Sequence, residues 1–342
     1  MKNKKTKSPD FWKMARSYLH TYMPSVQCCS EKSVAAYRAS LNKYLTFLRE
    51  KHSIENETVT FECFSRSYLT SFIVWMKEEK HYKPKTVNLR MTAIKSFLKY
   101  CGQENWELRD FSCVADAISQ VKVPKSPIVY LSDNAITSIL AAVPADTPKH
   151  RRNRVILILM YDTGARVAEI SGLTLSSLYI DSKLPYIKLV GKGNKIRNVP
   201  LMKKTVEHLR EYIKEFHSQK VENPLFYSQR DSLPHSLSTD SIELILKNAA
   251  ITAQEQCAEV PDHVFCHLVR KTRAMDLYKQ GVSLPIIAQL LGHENMSTTT
   301  GFYAFATYDM MFNAMEKANS QATSASMVWK NPDVMKMLYS LD

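Results

Sequence analysis

Between Ser30 and Lys51 the apolar residues Val34, Tyr37, Leu41, Tyr44, Leu45 and Leu48 recur at steps of three and four. That spacing lines one face of a helix, and such a stripe must be buried against others like it. Ser30 supplies an N-cap. Two further stripes follow. One runs from Arg66 to Glu79 with Leu69, Phe72, Ile73 and Met76. The other runs from Pro84, a residue suited to a first helical position, to about Gly102, with Val87, Met91, Ile94, Phe97 and Leu98. A shorter helix from Phe11 to Tyr22 precedes them. The chain has only 8 glycines in 342 residues, which works against a sheet-rich fold with many tight turns. Residues 11–117 are therefore expected to form a helical bundle behind a basic arm, residues 1–10.

A length of 342 residues fits two domains. The run ISQVKVPKSPIVY, residues 118–130, breaks the helical pattern with two prolines and reads as a linker. A second domain is expected over 131–319. It opens with a helix capped by Ser132 and ending near Ala142. The next helix starts at a basic cluster (Lys149, His150, Arg151, Arg152, Arg154), continues as the wholly apolar run Val155 to Met160, and ends at Thr163-Gly164. The only β-region read from the pattern is a hairpin, Tyr186–Val190 and Lys195–Pro200, around Gly191-Lys192-Gly193-Asn194. Helices are expected at 203–217, 239–255, from near His263 to Gln280, and from Pro285 to Leu291, with Gly292 as a cap. The fold class is thus mainly α with one small β-element. Asp309 to Asn319 should be helical, and residues 320–342 form a tether and an amphipathic segment expected to dock on a neighbouring protomer, with packing back on its own protomer as the alternative.

The net charge is +13 and the pI about 9.3. A balance of this kind suits a polyanion, with a solvated surface as the plain alternative. Residues 1–120 hold 20 basic and 12 acidic side chains. The outer face of the third long helix presents Lys83, Lys85, Asn88, Arg90, Lys95 and Lys99 with almost no acids interleaved, so Lys83, Lys85, Arg90 and Lys95, with Arg151 and Arg152, are the candidate contacts to DNA phosphates. The seven cysteines are scattered and read as reduced thiols. The basic N-terminus is followed by no apolar segment, and no window is apolar enough to span a membrane, so a cytoplasmic protein is expected.

The chemistry-bearing residues have one thing in common. His267 and Arg270 lie one turn apart on a helix, His293 follows a capping glycine, and Tyr303 follows the Thr-rich approach Ser297 to Thr300. Arg166, directly behind Gly164, and Lys192, between two glycines that let the backbone approach a ligand closely, read on their own as a surface arginine and a solvated turn lysine. No carboxylate stands among these groups. Arginine, histidine and tyrosine together suit an anionic substrate and need no metal or cofactor. His263, His267 and His293 lack the Asp, Glu or Cys that would complete a zinc set at the expected spacing. The set points to phosphoryl transfer with a tyrosine nucleophile.

The strings TGARVAEISGLTLSSL, VGKGNKIRNVPL and HLVRKTRAMDLYKQGVSLPIIAQLLGHENMSTTTGFY resemble the motifs of the tyrosine recombinases, the phage-integrase family. Arg166, Lys192, His267, Arg270, His293 and Tyr303 occur in that family's order and approximate spacing. The resemblance covers roughly residues 130–320 and is weaker over the N-terminal helices, which look like the family's core-binding domain. It implies a site-specific recombinase acting on double-stranded DNA as a tetramer, the integrase of a bacterial mobile element. It implies a catalytic Tyr303, phosphate-holding Arg166, Arg270 and His293, proton transfer by Lys192 and His267, and an orienting role for Glu169. Some positions depart from the pattern. Lys271 and Phe305 stand where relatives often have histidine. Tyr303 lies ten positions after His293, one more than the commonest spacing, which leaves Tyr308 as a substitute nucleophile. A type IB topoisomerase shares this chemistry, and a DNA-binding regulator built on a decayed integrase is the non-enzymatic rival.

Overall fold

The structure, a computed structural model, describes residues 10–124, 129–217, 224–230 and 233–292, together with Phe312, Met315, Glu316, Asp333 and Lys336. The chain divides into two units, Met1–Ser126 and Pro127–Asp342.

The first unit is helical. Asp10 caps α1 (Phe11–Ser17) by accepting from the Trp12 and Lys13 amides. Helix α2 (Glu31–His52) is capped by Ser30, whose hydroxyl accepts from the Ser33 amide. Then come α3 (Arg66–Glu78), α4 (Pro84–Glu104) and the short α5 (Arg109–Asp116). The stripes are the buried faces. Leu41, Tyr44 and Leu48 of α2 meet Leu69, Phe72 and Met76 of α3 and Val87, Ile94, Phe97 and Leu98 of α4 in one core. Each such side chain contributes ~1.5–3 kcal/mol of burial. The core is rich in rings: Tyr44 stacks on Phe64 with centroids 4.8 Å apart and donates its hydroxyl to the Cys63 carbonyl. One boundary moves. The first helix continues past Tyr22 as a π-helix, Tyr18–Val26, with Pro24 inside it. Proline has no amide to give, and the widened turn is closed instead by the Gln27 amide on the Tyr22 carbonyl. Ile118 and Val121 pack back on this unit, held by Lys95 and Asn88.

The second unit builds around α7 (Pro148–Thr163), which follows α6 (Asp133–Ala141). The apolar run Val155 to Met160 is buried as the pattern requires, except that Ile158 is only half-buried. Gly164 stops α7 with φ +59°, in the left-handed region that glycine enters most readily. Helix α8 (Val167–Ser171) starts at once behind Arg166. The expected hairpin is β2 (Tyr186–Val190) with β3 (Ile196–Pro200), and a short β1 (Leu178–Tyr179) adds to its edge. Helix α9 (Lys203–Phe216) leads to a second hairpin, β4 (Tyr227–Arg230) and β5 (Leu233–Ser236). That hairpin adds a second β-element to the one the pattern shows; Pro234 pairs with Gln229 as part of a two-stranded ribbon, where a strand can do without one ladder donor. Helices α10 (Thr239–Gln254), α11 (Cys266–Lys279) and α12 (Leu284–Leu291) complete the described part. Helix α11 begins three residues later than expected, because Phe265 is extended and the Cys266 amide donates to the Glu243 carboxylate. The seven cysteines are free. Among the described residues no helix is long and apolar enough to cross a membrane. The tether and C-terminal segment lie almost wholly outside the described residues.

Candidate active site

Four elements of the second unit end at one place: the turn after α7, the start of α8, strand β3 and the C-terminus of α12. Arg270 comes up from the first turns of α11 and is only 2% exposed. Its Nη1 donates to the Gly164 carbonyl at 2.8 Å and its Nη2 to the Leu291 carbonyl at 2.6 Å. Arg166 sits on the turn that Gly164 creates. Its Nη2 donates to the next carbonyl along, Gly292, at 2.9 Å, and its side chain stays 39% exposed. The two guanidinium groups, far apart in sequence, therefore stand side by side on adjacent carbonyls. The last carbonyls of a helix carry partial negative charge, so they steady these cations without cancelling their charge.

Glu169 closes the turn from below. Its Oε2 accepts from the Arg166 amide at 2.7 Å and its Oε1 from Arg166 Nη1 at 3.0 Å. Burial alone would raise this carboxyl, but hydrogen bonds from Arg197 and from the Arg166 backbone outweigh it and hold the group below the usual carboxylate range. Arg197 makes a two-pronged pair with the same carboxylate, 2.6 and 2.7 Å, and donates its Nε to the Leu290 carbonyl at 2.9 Å. The resemblance gives Glu169 an orienting role, and this geometry is what such a role requires. Arg197 was missed. A signal for it existed: alternation on β3 puts position 197 on the inward face opposite buried Leu189, where an apolar residue belongs.

His267 lies on α11 one turn before Arg270 and keeps part of its surface open to solvent. Desolvation on its inner side, then the charges of Arg270, Lys271 and Arg166, push its pKa below the ordinary 6.5. It is therefore neutral at physiological pH and able to accept a proton. Lys192 belongs to the tight turn between β2 and β3, where the Gly191 amide donates to the Lys195 carbonyl at 2.7 Å and Gly193 takes φ +70°. The Lys192 side chain, His293 and Tyr303 lie outside the described residues, as does Tyr308.

The chain matches the phage integrase family over residues 130–309, more than half its length. The chain belongs to that family, the tyrosine recombinases. The family's N-terminal SAM-like domain matches residues 17–105. Among curated relatives, an integrase/recombinase y4rC of Sinorhizobium fredii is 27% identical over 316 residues, covering 91% of this chain and 92% of the relative. The tyrosine recombinase XerC of Listeria innocua is 28% identical, covering 88% and 96%. Among solved structures, a XerH site-specific recombinase bound to palindromic difH substrate aligns with TM-score 0.64 at 16% identity, covering 89% of this chain and 84% of that one. A lambda integrase dimer bound to a COC' core site aligns with TM-score 0.62 at 15% identity, covering 86% and 77%. At these identities the structures speak for the fold.

The recombinase's candidate phosphate contacts divide. Lys83 and Lys85 are exposed at the start of α4. Arg90 is half-buried and donates to the Ser40 hydroxyl at 3.1 Å. Lys95 gives its ammonium to the Ile118 carbonyl at 2.5 Å, behind the end of α5. Arg151 forms a two-pronged pair with Glu215, 2.9 and 2.6 Å, and reaches the Ala145 carbonyl. Arg152 stands apart from the rest of the basic cluster. It is 9% exposed, donates to the Tyr227 carbonyl and the Asn153 amide oxygen, and has its pKa lowered by desolvation. It is a structural tie between α7 and β4, because its position on the helix faces the core.

Proposed function

We propose that this chain is a site-specific recombinase that cuts and rejoins duplex DNA through a 3′-phosphotyrosyl link at Tyr303, serving integration and excision of a mobile element in a bacterial cytoplasm. The phenolic oxygen of Tyr303 attacks the scissile phosphorus and its proton passes to His267. The 5′-oxygen departs with a proton from Lys192. A 5′-hydroxyl of another strand then attacks the phosphotyrosine, giving its proton to Lys192, and expels Tyr303, which takes its proton back from His267. The phosphodiester energy is kept in the tyrosyl ester, so no nucleotide cofactor enters. Arg166, Arg270 and His293 hold the non-bridging oxygens as charge develops, with the guanidinium groups offering paired donors.

The observation that supports this reading most is the side-by-side placement of Arg166 and Arg270 on the carbonyls of Gly292 and Leu291. The neutral His267 beside them suits a proton acceptor. Four protomers would act on two DNA sites, linked by residues 320–342 docking on a neighbour; removal of the chain beyond residue 325 should abolish assembly on DNA while leaving single-site binding.

The test is covalent trapping on nicked duplexes with randomised cores, run on a denaturing gel beside Tyr303→Phe with metal chelated. A chelator-resistant protein–DNA band that the variant lacks supports the reading, and sequencing the trapped DNA gives the site. Retention of DNA without any covalent band would favour the regulator, a band surviving in Tyr303→Phe would move the nucleophile to Tyr308, and trapping without sequence preference would favour a topoisomerase.

A further inference from the structure

The last two carbonyls of α12 and that of its capping Gly292 are each held by a different arginine: Leu290 by Arg197, Leu291 by Arg270 and Gly292 by Arg166. Two of these belong to the proposed phosphate site. The third comes from β3, the strand that leaves the turn carrying Lys192. We infer that Arg197 is a positioning residue for Lys192, fastening the β2–β3 turn to the arginine turn through Glu169. This rests on the reading of Lys192 as the acid that protonates the leaving oxygen.

The Arg197 side chain is 11% exposed and that of Glu169 3%. An arginine on the core face of a sheet is tolerated only when its donors are met. Here Nη1 and Nη2 meet the carboxylate and Nε meets Leu290. The base of the turn is caught in the same clamp. A Cβ placed on Gly191 would lie 3.2 Å from Glu169 Oε1 and 3.7 Å from Arg166 Nη1. Gly292 leans on the clamp from the other side, where an added Cβ would come within 3.0 Å of Arg197 Nη1. The tip of the turn is open: a Cβ on Gly193 would meet nothing within 4 Å. The backbone that carries Lys192 is thus fastened at the base of the turn, by Gly191 and Arg197. A general acid works only within hydrogen-bond reach of its target, and a displacement of ~1 Å can lower a rate ~10²-fold.

Leaving-group chemistry separates this role from mere scaffolding. With sulfur in place of the 5′-bridging oxygen at the scissile phosphate, the leaving group is a thiolate (thiol pKa ~8.5) and needs no proton. Full-length Arg197→Ala, Arg197→Lys, Lys192→Ala and Arg166→Ala would be assayed for covalent capture on the oxygen and sulfur forms of a trapped duplex. Arg197→Lys keeps the charge but, with all its donors on one nitrogen, cannot hold both carboxylate oxygens and the Leu290 carbonyl as the guanidinium fork does; it serves if Arg197→Ala does not fold. Both Arg197 variants should be ~10–100-fold slow on oxygen and close to wild type on sulfur, as Lys192→Ala should be, while Arg166→Ala stays slow on both. Equal loss on both duplexes, or loss on neither, would overturn the inference. A Lys192→Ala deficit that sulfur does not relieve removes the acid assignment itself and the inference with it, and that result shows in the Lys192 variant whatever Arg197 does.

Discussion

Two groups of basic side chains stand out in this chain, and the fold uses them in opposite ways. On the outer face of α4, Lys83 and Lys85 face solvent, while Arg90 and Lys95 on the same face have turned to hold a hydroxyl and a backbone carbonyl. At the end of α12, Arg166, Arg197 and Arg270 lean together on three consecutive carbonyls with Glu169 between two of them. A solvated lysine attracts a polyanion at long range and lets it slide. A guanidinium pinned in place is already oriented when charge develops, which is what stabilises a transition state. Orientation and exposure, more than the number of charges, separate the two groups.

The sharpest way to break that distinction is to remove Arg270. Arg270→Ala should lower covalent trapping on DNA by ~10³-fold. It should also lower stability by about 2–5 kcal/mol in thermal unfolding, because the Gly164 and Leu291 carbonyls lose a buried donor. Arg166→Ala should lower trapping by ~10²-fold and stability by no more than about 1 kcal/mol, since its side chain is partly exposed and Glu169 keeps Arg197. Equal destabilisation by both changes would mean that the two arginines are one structural unit, and the contrast between binding surface and reacting site would fall.

On the binding side the same logic runs in reverse. Lys83→Ala with Lys85→Ala should flatten the dependence of log affinity on log salt by about 1 for each phosphate no longer neutralised, with unfolding unchanged. Arg152→Ala should do the opposite: unfolding eased by about 2 kcal/mol and the salt slope kept, because its donors go to Tyr227 and Asn153. A shallower slope in the Arg152 variant would return that residue to the DNA surface.

Much of this architecture could be read from residue patterns. The stripes on α2, α3 and α4 predicted their own burial, because helical spacing is a local property and a long stripe has few alternatives. Ser30, Ser132 and Gly164 marked helix ends for equally local reasons. What was hidden depends on partners remote in sequence. Arg151 and Arg152 are neighbours in one basic run, yet one pairs with Glu215 and the other turns inward to Tyr227. The β4–β5 hairpin looked like a loop because proline breaks are scored locally, while strand pairing is not. Six site candidates could be named by type and order, and among the described residues Arg166, His267 and Arg270 lie near one another; the Arg197–Glu169 link between hairpin and turn could not be read, since it joins positions 28 apart. The inward-facing arginine on β3 was the one local clue.

The smallest expected effect concerns His267 and refines the comparison within the site itself. In an unfolded chain this histidine titrates near ~6.5; desolvation and the charges of Arg270, Lys271 and Arg166 lower it in the folded protein. Between the two values the unfolded chain holds more protons, so stability falls as pH drops through that window and levels off below the folded value. The same shift puts the acid limb of trapping below 6.5, because the proton acceptor stays neutral there. Lys271→Gln removes one positive neighbour without touching the carbonyls that hold Arg270. The limb should then move toward neutral, with trapping at pH 6 falling roughly two-fold against pH 8. High salt should mimic the substitution in part, since His267 is exposed enough for screening to reach it. A limb that stays put in both experiments would mean that the proton from Tyr303 goes elsewhere, leaving His267 to the phosphate alongside Arg166 and Arg270.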